Sequence, residues 1–208
     1  MGRRRPWLAN RPAWWSLFLL QLAPLGYLAW AIPTHQLGYE PVVDSLRFLG
    51  DTALYLLLIS LAITPLQRLV PRAGLIDYRR MVGLYAFFYA AMHATLWVVV
   101  DRQLALAAIW EDVVEREHIT FGVVALLILI ALAITSTRGW MRRLGRRWKL
   151  LHRLVYLAAA LGVLHYFLSV KFDTRTPIVL GVVLLVLLLA RPLTRSLAIE
   201  SKKRRMPR

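Results

Sequence analysis

Three histidines, His93, His152 and His165, lie within or at the edge of long apolar runs. An imidazole in hydrocarbon is costly unless it has a partner, so each marks a candidate site. Neutral imidazole is also a common metal ligand, and two of them on facing helices can hold one iron between them. The chain has no cysteine. Thiolate metal sites, iron-sulfur clusters, disulfides and a covalently attached C-x-x-C-H heme are therefore excluded. Carboxylates are scarce in the apolar runs, Asp51 being the one acid within a possible span, which argues against a proton relay or an ion-coupled carrier.

The elements that position these histidines are helices in a membrane. Of 208 residues, 59% are apolar and 18% charged, so the class is an all-α polytopic membrane bundle. Too little chain lies outside the apolar runs for a separate catalytic domain, so any chemistry belongs to the helices, a bound cofactor or a partner. Six spans are expected, at residues 14–32, 48–64, 81–100, 119–135, 150–170 and 177–190. The first resembles a signal peptide, but Trp30 and Ile32 leave no small-residue cleavage site, so a retained helix is expected, bent at Pro24 and Gly26. Residues 34–44 read as a loop, Pro65 as the stop of the second span, and residues 103–117 as a surface loop or interfacial helix. Residues 138–149 read as a basic turn, and Arg191 and Pro192 as the close of the last span.

Charge orients the bundle. Six spans put both termini on one side, and that side receives 22 of the 27 lysines and arginines. By the positive-inside rule it is cytoplasmic. The domain limits are then a basic cytoplasmic N-terminus at 1–13, a membrane domain at 14–193 and a basic cytoplasmic tail at 194–208. The formal charge of +16 suits a collar for anionic lipid headgroups rather than nucleic acid, because nine of the eleven acids fall on the opposite side.

Depth and face pair two of the histidines. His93 lies 13 residues past Arg80 and His165 lies 12 past Arg153, placing them about 20 and 18 Å above the cytoplasmic edge. Ala90 and Ala86 share the face of His93, and Gly162 and Ala158 share that of His165. Two readings stand at this point. Either the small side chains make room for a non-covalent heme between His93 and His165, or they are small-xxx-small helix packing beside interhelical histidine hydrogen bonds. His152, at the cytoplasmic edge, lies about 220° around a straight helix from His165, so one surface presents both only across a distortion. It is either a ligand of a second, cytoplasm-facing heme or an interfacial bystander. His35 and His118 read as solvated.

Certain strings carry a family resemblance: TPLQRL at 64–69, RRMVGLYAFFYAAMH at 79–93, and LAITSTRGWMRRLGRRWKLLHRLVYLAAALGVLHYFLSVK at 132–171. Across residues 46–190 the chain resembles the heme-binding membrane subunits of the bacterial periplasmic methionine sulfoxide reductase system, the MsrQ (formerly YedZ) family. That family belongs to the ferric-reductase-like transmembrane group. The resemblance implies a b-type cytochrome of the inner membrane, with His93, His152 and His165 at the family's heme-associated positions. One heme b, or two, would be bound. It further implies FMN as an associated cofactor, the quinone pool or a cytosolic flavin reductase as electron donor, and a periplasmic molybdenum enzyme, MsrP, as acceptor. Larger relatives carry a further histidine beyond the first on the same helix, where this chain has Leu106 and Ala107.

The expected function is one-electron transfer through iron held by His93 and His165, with His152 helping to admit electrons from the cytoplasm. Two histidine ligands leave the iron no open position, which suits electron transfer rather than oxygen activation. The acidic outer segment from Glu111 to Glu117, with Asp112 and Glu115 in it, and the loop at 172–177 form the expected docking surface for MsrP. The alternatives are a ferric or quinone reductase subunit with another acceptor, a small transporter, or a membrane scaffold without cofactor.

Overall fold

A computed structural model describes residues 11–70 and 74–204, with side chains at 12–70 and 74–194. The basic residues Arg3, Arg4, Arg5, Arg72, Arg205 and Arg208 of the expected collar lie outside it. The described residues form helices and turns, with no strand. Helix α1 is Arg11–Leu20, α2 Ala23–Ala31, α3 Pro41–Leu69, α4 Arg79–Leu96, α5 Leu106–Glu115 and α6 Glu117–Ile134. Two short helices, α7 at Arg138–Leu144 and α8 at Arg146–Leu151, precede α9 at Leu154–Ser169 and α10 at Arg175–Arg204. Among the described residues five helical stretches are long and apolar enough to cross a membrane: Pro41–Leu69, Leu75–Asp101, Glu117–Ile134, Arg146–Ser169 and Arg175–Thr194.

The expected first span is divided. Pro24 has no N–H to offer the Leu20 carbonyl, and the helix breaks just before it, where the Leu22 N–H turns back to Leu19 O at 2.9 Å. Such a break leaves carbonyls without their usual partner, a loss of several kcal/mol each in hydrocarbon. Two tyrosines of α4 repair it. The Tyr85 hydroxyl donates to Phe18 O at 3.1 Å and the fully buried Tyr89 hydroxyl to Gln21 O at 2.6 Å.

Proline is also where the second span departs from expectation. The helix begins at Pro41, inside the expected loop, since proline suits a first helical turn and Asp44 there complements the dipole. It then runs through Pro65 instead of stopping. Pro65 deprives the Leu61 carbonyl of its i+4 donor, and Arg191 of α10 replaces it, Nη2 lying 3.0 Å from Leu61 O. A guanidinium from another helix keeps α3 whole. Arg191 also bonds the Tyr156 hydroxyl, and Arg68 Nη1 returns to Arg191 O at 2.8 Å. The last helix likewise passes Pro192 to reach Arg204, where an end near residue 190 is expected. Residues 138–149 are two short helices, hinged at Gly145 with φ of +49°, rather than a bare turn.

Helices α3, α4, α6 and α9 form a ring. Helix α4 packs on α3 and α6, and α9 on α6 and α3, so α4 and α9 face each other across the bundle. Leu54, Leu57, Leu58 and Leu61 of α3 meet Ala86 of α4, Leu129 of α6, Ala158 and Ala159 of α9, and Leu180 and Leu184 of α10. A second cluster joins Leu28 of α2 to Leu49 and Ala53 of α3 and to Met81, Tyr85 and Tyr89 of α4. Val179, Val182, Val186 and Leu189 of α10 point outward at helical spacing, a stripe suited to lipid tails. Residues 106–115 resolve as the helix α5, exposing Leu106, Trp110 and Val114 on one face.

Candidate functional site

His93 of α4 and His165 of α9 meet at the bundle centre. Their ring centres are 6.0 Å apart and their planes stand at 81°. Each ring rests on the neighbouring helix of its own hairpin, where that helix has a glycine. His93 lies against Gly50 of α3 and donates from Nδ1 to Leu46 O at 2.8 Å. His165 lies against Gly122 of α6 and donates from Nδ1 to His118 O at 2.6 Å. A carbonyl can only accept, so Nδ1 of each neutral ring carries the proton and Nε2 the lone pair.

The histidines do make interhelical hydrogen bonds, but to backbone, and not to one another. With both Nε2 atoms acceptors, the rings cannot bond each other, whereas a metal ion or a proton can satisfy both. Metal–imidazole distances are about 2 Å, so one ion held by both rings would separate their centres by about 6 Å, the separation found here. The donor set and its spacing therefore fit an iron held between His93 and His165. Below the histidines the packing reading holds. Ala86 and Ala158 are fully buried, and a Cβ on Gly162 would lie 3.5 Å from Leu54 Cδ1.

His152 stands apart, in the turn between α8 and α9. That turn breaks the helix between His152 and His165, so the straight-helix angle between them does not apply. The ring stacks on Trp148 at 4.0 Å, with Nδ1 3.2 Å from Trp148 O and Nε2 3.5 Å from Ser136 Oγ. Among the described residues no three of His, Cys, Asp and Glu converge as a metal cluster. Leu106 and Ala107 fall on α5, beyond the end of the His93 helix.

Other residues near the pair escaped the sequence reading. His118, expected in solvent, is half-buried, supplies the carbonyl that holds His165, and brings its ring to 6.1 Å from that of His165. Gly50 and Gly122 carried no signal on their own. A repeat offset by 72 residues would have found them: Gly50, Ala53, Leu54, Leu57, Ala86 and His93 recur as Gly122, Ala125, Leu126, Leu129, Ala158 and His165. Asp51, next to Gly50 on α3, lies beside Tyr166 of α9, next to His165. Asp112 is buried, with Oδ1 3.0 Å from Arg116 Nε and Oδ2 2.5 Å from Arg102 Nε. It closes α5 onto the bundle and is not available for docking. Glu111 and Glu115 remain exposed.

Comparison with known proteins agrees with this architecture. Residues 49–163 match the family described as ferric reductase like transmembrane component. Protein-methionine-sulfoxide reductase heme-binding subunits MsrQ of several bacteria are similar over most of their length. The Caulobacter vibrioides protein is 45% identical over 176 residues, covering 84% of each chain. That of Herminiimonas arsenicoxydans is 48% identical, covering 84% of this chain and 82% of its own. That of Xanthomonas campestris is 46% identical, covering 80% and 79%. On the matched domain and on identity across more than four-fifths of its length, the chain belongs to the MsrQ family of ferric-reductase-like membrane proteins.

Proposed function

We propose that the chain is the electron-carrying membrane subunit of a periplasmic protein-methionine-sulfoxide reductase system, with His93 and His165 as the two axial ligands of a non-covalent heme b. The observation that carries the reading is the pair of rings 6.0 Å apart, each fixed by a backbone carbonyl with its lone pair left at Nε2. The relatives' names, heme-binding subunits of such a reductase, support the same assignment. A heme so held would supply a one-electron carrier whose iron has no site for substrate. The residues do the rest. Leu46 O and His118 O would hold the tautomer of each ligand, and the apolar flanks of α10 and α6 keep the level dry.

The full topology is six membrane crossings in the bacterial inner membrane, with α1 and α2 together as the first, hinged before Pro24, and both termini cytoplasmic. The positive collar would sit on anionic lipid. Electrons enter from the quinone pool or a cytosolic flavin reductase, with His152 near the point of entry and available to a second heme. They leave to MsrP, docked near Glu111, Glu115 and the exposed Phe172 loop. The ferric-reductase-like match favours a second reading, a cytochrome subunit serving a different acceptor.

The test is a reduced-minus-oxidised absorption spectrum of the detergent-purified protein with a pyridine hemochrome count, beside His93→Ala and His165→Ala. A b-type spectrum lost in both variants is expected. A colourless wild type from heme-replete cells would end the electron-transfer reading. Two hemes per chain, falling to one in His152→Ala, would assign that residue to a second site.

A further inference from the structure

The two ligand positions are copies of one unit. In each hairpin 47 residues separate the histidine from the carbonyl it holds, and 43 separate it from the glycine beneath it. Leu46 and Gly50 are four apart on one face of α3, as His118 and Gly122 are on α6. A helical carbonyl already accepts the N–H four residues on, and its second lone pair faces sideways. A Cβ tilts toward the N-terminus, so a side chain on the residue four ahead shields that sideways approach. Glycine at 50 and at 122 removes the shield, and an imidazole takes the space. A Cβ on Gly50 would lie 3.2 Å from His93 Nδ1 and 3.3 Å from Cε1. On Gly122 it would lie 2.8 Å from His165 Nδ1, 3.0 Å from Cε1 and 3.3 Å from Cγ.

We propose that Gly50 and Gly122 are positioning residues for the iron ligands, letting each imidazole lie flat on a helix backbone so that the Leu46 and His118 carbonyls set its tautomer and its plane. The inference rests on His93 and His165 being the axial pair. Its product is the 81° angle between the rings, since the two backings belong to different helices. Near-perpendicular imidazole planes give ferric low-spin iron a strongly anisotropic resonance with one large g value. Planes closer to parallel give an ordinary rhombic spectrum. The carbonyl bonds also make each imidazole a stronger donor, which favours the oxidised ion.

The experiment compares wild type with Gly122→Ala, Gly50→Ala and Gly83→Ala as heme-loaded proteins, by electron paramagnetic resonance, midpoint potential and heme affinity. Gly83 serves as control, because a Cβ there meets nothing within 4 Å. Alanine at 122 cannot fit without moving the ring. It should collapse the large g value, shift the potential upward and weaken heme binding by roughly 10- to 100-fold. Alanine at 50 should change the same quantities in the same direction by less, and alanine at 83 should leave them alone. If Gly122→Ala retains no heme, the milder Gly50→Ala carries the decision. Wild-type resonance and potential in Gly50→Ala, with Gly122→Ala either unchanged or heme-free, would overturn the proposal while leaving the ligands in place. Heme retained in His93→Ala and His165→Ala would instead overturn the ligand assignment beneath it.

Discussion

The histidines were legible in the sequence because hydrocarbon makes an imidazole conspicuous, and helical rise put His93 and His165 at one depth. What backs them was not, since a glycine in a membrane helix reads first as close packing. His118 was misplaced for a similar reason. Its position at the start of α6, next to charged Arg116 and Glu117, suggests solvent, while its function near the site is performed by its carbonyl. Arg191 gives the sharpest prediction at this scale. Replacing it with methionine removes the donor to Leu61 O, and an unsatisfied buried carbonyl costs about 1–3 kcal/mol. The melting temperature in detergent should fall accordingly. In a Pro65→Ala background, where residue 65 regains an N–H for Leu61 O, the same replacement should cost less. Equal losses in both backgrounds would show that Arg191 does not serve that carbonyl.

At the scale of elements, the order and period of the apolar runs found every long helix, and the misjudged boundaries cluster at prolines. Pro41 opens a helix where a loop was expected, and Pro65 and Pro192 lie inside helices they were expected to end. The local rule is sound; it omits partners far away in the chain, and Arg191 is 130 residues from Leu61. The converse holds at the first span, where the division before Pro24 is stabilised by tyrosines 67 and 68 residues on. Tyr85→Phe combined with Tyr89→Phe should loosen α1 and α2 from α4 without disturbing the His93–His165 pair. Faster amide exchange in residues 14–31, with an unchanged heme spectrum, is the expected outcome; unchanged exchange would mean that apolar contact alone seats the segment.

For the whole molecule, the partition of charge is the strongest statement the sequence makes. Because the chain lacks cysteine, single cysteines report sidedness cleanly. Ser201→Cys should react with an impermeant thiol reagent only from the cytoplasmic face and Asp173→Cys only from the periplasmic one. The reverse pattern would invert the topology and the direction of electron flow with it. The proposed docking surface belongs to this scale as well. Lysine at both Glu111 and Glu115 should slow heme oxidation by MsrP, more at low salt than at high, since exposed charges steer encounters. Unchanged kinetics at low salt would remove α5 from that interface. Asp112, buried between two arginines, is not a usable position for this test, because charge reversal there would unseat the helix.

His93 and His165 sit on opposite members of the helical ring, one in each repeated hairpin, so a group bound by both would join the halves as a bolt joins two plates. Its occupancy then becomes part of the fold's own thermodynamics. At a free concentration one hundred times the dissociation constant, it would add about 2.7 kcal/mol to the stability of the joined bundle. With heme as that group, as proposed above, a cell short of heme would hold this protein in a looser form, open to membrane proteases, and its abundance would follow the heme supply without any dedicated regulator.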